Sequence, residues 1–262
     1  MESVPISDTG GLGPVELTVI ESGGTITPAS RLVARALGTH RELLSGTGID
    51  WGAGTGLLAI LLSRIDRVDR VVALEKDPKA AANAIRNVEH AGASRTIDVY
   101  EADSFAAVTD QGRQALEERR GTFDFLVANP PASDGDDGLG WRRSVLRGAA
   151  EHLRPGAPIL LQVSAQYSRE RIEHLAAEAG HTYVGLLESS DWSPFELDRD
   201  DLWRCLTDYV AEEQRGGLRY AFGKDGRQSA VEALHQYRRT GEFPLTQWQV
   251  HHFESAAPSS GA

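Results

Sequence analysis

A chain of 262 residues with 40% hydrophobic and 25% charged side chains has a globular composition and enough length for one large core with an elaborated end. The formal net charge of −11 opposes a long phosphate backbone, so nucleic acid is a disfavoured partner. The longest apolar runs, such as Leu57–Leu62, are too short to span a bilayer, and the first residues lack the basic, apolar and small-residue order of a secretory signal; the expectation is a cytoplasmic protein with no membrane partner. A lone cysteine, Cys205, excludes an intramolecular disulfide and a thiolate metal cluster, and reads as a buried structural thiol.

Residues 1–24, with Gly10, Gly11, Gly13, Pro14, Gly23 and Gly24, read as an irregular leader with one short strand near Val15 to Ile20. From Pro28 the apolar positions Leu32, Val33, Ala36 and Leu37 recur at helical spacing, with Ser30 as the candidate cap. Short apolar strands then alternate with helices over 45–188. Strands are predicted at 48–51, 70–75, 96–100, 123–129, 158–164 and 182–187, and helices around Leu57, Ala81, Trp141 and Ile172. Gly92 and Gly180 follow two of these helices, where a left-handed cap is wanted. This rhythm predicts a doubly wound, Rossmann-like α/β core over 25–188: a mostly parallel, seven-stranded sheet with helices on both faces, whose ligands bind beyond the carboxyl ends of the strands.

Past residue 188 the rhythm breaks. An acidic turn-rich stretch precedes amphipathic helices through Leu202, Leu206 and Tyr209 and through Val231, Leu234 and Tyr237. The segment 189–243 is too long for a hairpin connection and reads as a C-terminal helical insertion covering the strand ends. Residues 246–253 read as a closing strand within 244–254, and 255–262 as a disordered tail.

The sharpest motif is Asp50-Trp51-Gly52-Ala53-Gly54-Thr55-Gly56, between the first core strand and the helix at Leu57. Gly52, Gly54 and Gly56 remove side chains where backbone turns and approaches a ligand, and Asp50 is suited to accept a hydrogen bond from a ligand ammonium. Glu75 ends the next strand, about 20 residues on, where an acid accepts both hydroxyls of a ribose. A dinucleotide fingerprint needs a third glycine at position 57, which is Leu57 here. The ligand is therefore drawn as a nucleoside carrying an amino acid.

This loop resembles that of the class I S-adenosylmethionine-dependent methyltransferases. The resemblance implies that Asp50, Gly52, Gly54 and Gly56 meet the methionine end, that Glu75 holds the ribose and that Asp103 faces the adenine amino group; helix capping is the other reading of Asp103.

A second motif, Asn129-Pro130-Pro131, ends the fourth core strand. Two prolines fix φ, remove two amide donors and hold Asn129 extended. The Asn129 carbonyl oxygen and a nearby backbone carbonyl are then suited to accept from one NH2 group and aim its lone pair at an electrophilic methyl. The turn resembles the Asn-Pro-Pro-Tyr/Phe motif of the amino-methylating branch, which includes adenine, guanine and glutamine N-methyltransferases. Residues 23–28 resemble the approach to the fold in the release-factor glutamine and small-subunit ribosomal RNA branches. Asn129 and Pro130 are accordingly the expected catalytic positions, with Asn129 also beside the cofactor, S-adenosylmethionine. The fourth motif position is Ala132, so the aromatic platform that stacks on a base or amide is missing.

The expected reaction is in-line methyl transfer to a nitrogen of a small metabolite, without metal or covalent enzyme intermediate. Alternatives are C- or O-methylation of a metabolite, N-methylation of protein or RNA, and a non-catalytic cofactor-binding regulatory subunit. Trp192, Phe195 and Trp203 are candidate acceptor-pocket residues, with simple packing as the other reading. Asp134, Asp136 and Asp137 are either a solvated loop or a group for a cationic acceptor. His251 and His252, adjacent on a strand, face opposite sides and make no paired metal site.

Overall fold

The computed structural model describes residues 2–21 and 24–256. Gly23 and residues 257–262 of the expected tail lie outside the described residues.

The leader is more ordered than its glycines suggest. Strands β1 (Glu2–Ile6) and β2 (Val15–Val19) form an antiparallel hairpin that pairs Ile6 with Val15. Ile6, Val15 and Leu17 are buried against the core. Burial on one face overrides the weak local strand signal of the first residues. Helix α1 (Pro28–Thr39) is capped by Thr27, not by Ser30. Ser30 stands at the third helical position and closes the reciprocal half of a capping box. Gly38 is required in this helix because a Cβ would stand 2.1 Å from the Thr9 carbonyl oxygen.

The alternating core follows: β3 (Gly46–Trp51), α2 (Leu57–Leu62), β4 (Val68–Glu75), α3 (Pro78–His90), β5 (Ile97–Asp103), β6 (Ala106–Ala107), α4 (Asp110–Glu117), β7 (Phe125–Ala128), α5 (Gly140–His152), β8 (Pro158–Gln162), α6 (Ser168–Glu178) and β9 (Thr182–Ser189). Helix α4, started by a Thr109 cap, and the two-residue β6 were not expected from the apolar pattern. All six residues of α2 are buried, which suits a helix apolar all round.

The remainder comprises β10 (Ser193–Pro194), α7 (Asp200–Gln214), α8 (Ala230–Thr240), β11 (Leu245–Thr246) and β12 (Gln249–Glu254). The predicted closing strand is thus divided. β11 pairs with β10 in a separate ribbon, while β12 joins the main sheet. Ser255 belongs with that sheet end rather than with a tail, since its backbone bonds Gly156 and Ala157.

The main sheet runs β6-β5-β4-β3-β7-β8-β12-β9. Seven strands are the expected ones, and β6 adds an antiparallel eighth at the edge. Strands β5, β4, β3, β7 and β8 are parallel, and β12 lies antiparallel between β8 and β9. Alternate side chains serve two cores: Ile49, Val72, Leu74 and Leu126 on one face, Val71, Ala73, Phe125 and Val127 on the other. α1 and α2 pack on the second face, and α5, α6 and α7 on the first. Among the described residues, no helix is long and apolar enough to cross a membrane.

Candidate active site at the switch of strand order

Strand order reverses between β3 and β7, and a crevice opens where the chain leaves the sheet on opposite sides. Trp51 pairs with Ala128 at the last rung. The next residues, Gly52 and Asn129, therefore emerge side by side. Chain order alone placed both motifs at strand ends; the pairing makes them neighbours.

Gly52 and Gly54 have φ of +74° and +55°, and no atom lies within 4 Å of where a Cβ would stand on either. Their backbone faces open space, which is the cradle a close-lying ligand needs. Gly56, with φ of +83°, starts α2 and abuts Ala84 instead. Asp50 lies beneath the loop with no exposed surface. Its Oδ2 accepts from the Ala59 backbone N–H at 2.9 Å, and its Oδ1 has no partner. Burial pushes its pKa up to about 7; the Ala59 bond opposes this and the charge of Glu75 adds to it. Asp50 is thus held beneath the loop and does not open onto the cavity.

Glu75 accepts from the Gly54 N–H at 2.8 Å and from the Asp77 N–H at 2.9 Å. One oxygen holds the glycine loop, the other the start of α3. Glu75 and Asp103 border a cavity of about 230 Å³ with Trp51, Lys76, Ser104 and Trp141. Asp103 ends β5, caps no helix, and pairs with Lys76 at 3.0 Å. Lys76 also stands over the Trp141 ring, 5.6 Å from its centroid.

Asn129, Pro130 and Pro131 line both this cavity and a larger one of about 730 Å³, which contains the open face of Gly52 and Gly54. The Asn129 side chain donates through Nδ2 to Ser30 Oγ at 3.1 Å. Behind the turn, the guanidinium of Arg142 donates to the carbonyls of Pro130 and Pro131, both at 3.0 Å, and to Gln162. Arg142 is buried, and burial pulls its pKa below the usual guanidinium value. Apolar periodicity of α5 pointed to Trp141, Val145 and Ala149, so an arginine on the inner face carried no sequence signal of this role.

The far wall comes from the insertion. Phe195, Leu202, Cys205 and Tyr209 line the larger cavity, together with Tyr167 from the segment after β8. Phe195 is buried and meets Phe222 edge-on, and Tyr167 and Tyr209 join hydroxyls at 2.7 Å. Trp192 and Trp203 are not in this lining; Trp203 packs on Tyr237. Cys205 is buried, as expected, and its burial raises the thiol pKa.

The acidic run divides. Asp136 closes its own turn on Ser133 and Gly138, and Asp137 pairs with Arg143 and Arg171. Burial opposes ionisation of Asp137, but the Arg143 contacts outweigh it and hold the carboxyl below the ordinary range. Asp134 is exposed. His251 meets Tyr183 and the Val163 carbonyl, and burial pushes its pKa down to about 4. Among the described residues no three His, Cys, Asp or Glu groups are placed to hold a metal.

Comparison with known proteins gives this crevice a family. The chain is 29% identical over 167 residues to a release factor glutamine methyltransferase of Cereibacter sphaeroides, covering 55% of this chain and 56% of that one. It is 30% identical over 135 residues to a 4-amino-L-phenylalanine/4-methylamino-L-phenylalanine methyltransferase of Streptomyces pristinaespiralis, covering 44% and 42%. The chain spans about half the length of these curated relatives. A solved Thermus thermophilus 16S rRNA N2 G1207 methyltransferase, in complex with AdoMet and guanosine, shares the fold at a TM-score of 0.51 and 22% identity, covering 70% of this chain and 47% of that one. Residues 16–184 match the family model of the methyltransferase small domain, so the chain belongs to that family of S-adenosylmethionine-dependent methyltransferases.

Proposed function

We propose that this chain transfers a methyl group from S-adenosylmethionine to a nitrogen of a small metabolite. The observation that carries the reading is the position of Asn129, shared by the 230 Å³ cavity beside Glu75 and Asp103 and the 730 Å³ cavity beside the glycine loop. The residues present fit the cofactor: Glu75 and Asp103 suit the nucleoside, and the side-chain-free faces of Gly52 and Gly54 suit the methionine end. When bound, the sulfonium supplies the electrophilic methyl. The protein supplies proximity and alignment.

Among the described residues the Asn129 side chain makes one hydrogen bond, from Nδ2 to Ser30, and none reaches Oδ1. An amide oxygen left free favours an acceptor that brings an N–H. The aromatic surface that Ala132 lacks is present across the cavity as Phe195, Tyr167 and Tyr209, which suit the flat or apolar part of a small acceptor. The aromatic lining of a cavity of about 730 Å³ and the net charge of −11 favour a metabolite over RNA. The similar proteins named above act on a release factor, an amino acid and a ribosomal RNA, so the acceptor class is a matter for experiment. Labelled methyl from S-adenosylmethionine, offered to cell extract divided by mass, should enter the low-mass fraction. Label confined to protein or RNA would overturn the metabolite reading.

A further inference from the structure

We infer that Ser30 is a positioning residue for methyl transfer, holding the amide of Asn129 so that Oδ1, and not Nδ2, is presented to the acceptor. The inference rests on the proposed function for its catalytic meaning and on hydrogen-bond bookkeeping for its geometry. Ser30 Oγ accepts from the Thr27 backbone N–H at 3.3 Å and lies 3.0 Å from Thr27 Oγ1. Thr27 Oγ1 in turn accepts from the Ser30 backbone N–H at 3.1 Å. A hydroxyl has one donor and two lone pairs. Either hydroxyl of the Thr27–Ser30 pair can be the donor; with Ser30 donating to Thr27 Oγ1 and accepting from the Thr27 N–H, one Ser30 lone pair is left for a further donor. Asn129 meets it with Nδ2 at 3.1 Å. The opposite flip would require the Thr27–Ser30 hydroxyl bond to run the other way, with Ser30 giving its proton to Oδ1. The Nδ2–Ser30 bond thus ties the orientation of the Asn129 amide to the capping box of α1, 99 residues away.

The main chain at the same turn is held from the other side, where Arg142 binds the Pro130 and Pro131 carbonyls. With Ser30 fixing the amide and Arg142 the backbone, Asn129 retains little freedom about χ2. Such restraint matters because misalignment of a reacting pair lowers rate without lowering cofactor affinity.

The test compares Ser30→Ala and Ser30→Thr, each saturated with S-adenosylhomocysteine. The first readout is the Asn129 side-chain NH2 resonance of 15N-labelled protein, assigned by its absence in Asn129→Asp. In the parent and in Ser30→Thr, one Nδ2 proton should be shifted and slow to exchange; in Ser30→Ala the signal should revert to that of a free amide. The second readout is turnover with the low-mass extract fraction, which should fall about tenfold in Ser30→Ala at unchanged S-adenosylhomocysteine affinity and recover in Ser30→Thr. An unchanged amide signal or unchanged turnover in Ser30→Ala overturns the inference and leaves Ser30 as a helix cap only. Absence of low-mass transfer by the parent defeats the metabolite reading instead, while the amide signal still decides whether Ser30 orients Asn129.

Discussion

Glu75 accepts the backbone N–H of Gly54 at 2.8 Å, so the acid at the end of β4 is also the brace of the glycine loop after β3. An acid that merely waited for a ribose would leave both oxygens free. Here each oxygen keeps one lone-pair direction for a ligand after its backbone bond is made. The proposed nucleoside contact and the shape of the glycine loop would thereby be linked through one carboxylate.

Glu75→Ala should weaken binding of S-adenosylhomocysteine by about 1.5–3 kcal/mol, the value of hydrogen bonds to a charged group. Glu75→Gln should lose less, since its amide oxygen accepts from either Gly54 or Asp77 but its nitrogen cannot. Titration calorimetry of the two variants checks the order, and equal affinity across parent, Gln and Ala would remove Glu75 from the site.

Asp50 predicts a pH dependence of stability. Its folded pKa of about 7 lies above the ordinary 3.8, so the folded state holds a proton that the unfolded chain has released. The stabilising contribution is complete below pH 4 and is lost as pH rises to about 7, beyond which the buried charge is a constant penalty. Asp50→Asn should raise Tm at pH 8 relative to the parent and reduce the fall in Tm between pH 4 and 7. Parallel Tm curves for the two proteins would mean that Asp50 is ionised throughout.

Asn129→Ala should lower transfer at saturating substrate by roughly a hundredfold while cofactor affinity stays nearly constant. Asn129→Asp retains an acceptor oxygen and should keep part of the activity toward an N–H-bearing acceptor. A rate in Asn129→Ala near that of the parent would reduce the Asn-Pro-Pro turn to a strand terminator.

Two of the three aromatic candidates in segment 189–243, Phe195 and Trp192, should behave differently. Phe195 lines the larger cavity and Trp192 does not. Because Phe195 is buried on Phe222, truncation to Ala would cost roughly 3–5 kcal/mol of stability and obscure the result, so Phe195→Leu is the informative change. It should raise KM for the acceptor several-fold with the cofactor Kd unchanged, whereas Trp192→Leu should leave both alone. Steady-state kinetics with the low-mass substrate decides, and a reversed pattern would place the acceptor wall elsewhere.

The sequence by itself determined the features that depend on neighbouring residues. Strand and helix periodicities over 45–188 gave the alternating core, because period-2 and period-3.6 burial patterns are written in adjacent residues. The spacing of Gly52, Gly54 and Gly56 and the two prolines after Asn129 are likewise local, since φ is set by the residue itself or its neighbour. Tertiary structure alone decided which groups meet. Glu75 bracing Gly54, Arg142 holding the Pro130 and Pro131 carbonyls and Ser30 holding Asn129 join residues 21, 11 to 12 and 99 positions apart. No periodicity carries such pairs, because each depends on strand order and on the Trp51–Ala128 register. The order of the leader and the split of the closing strand were equally hidden: Ile6, Val15 and Leu17 gain their burial from α1 to α3, and β11 turns away to meet β10 before β12 enters the sheet. Both are packing outcomes, in which distant partners outweigh weak local preference.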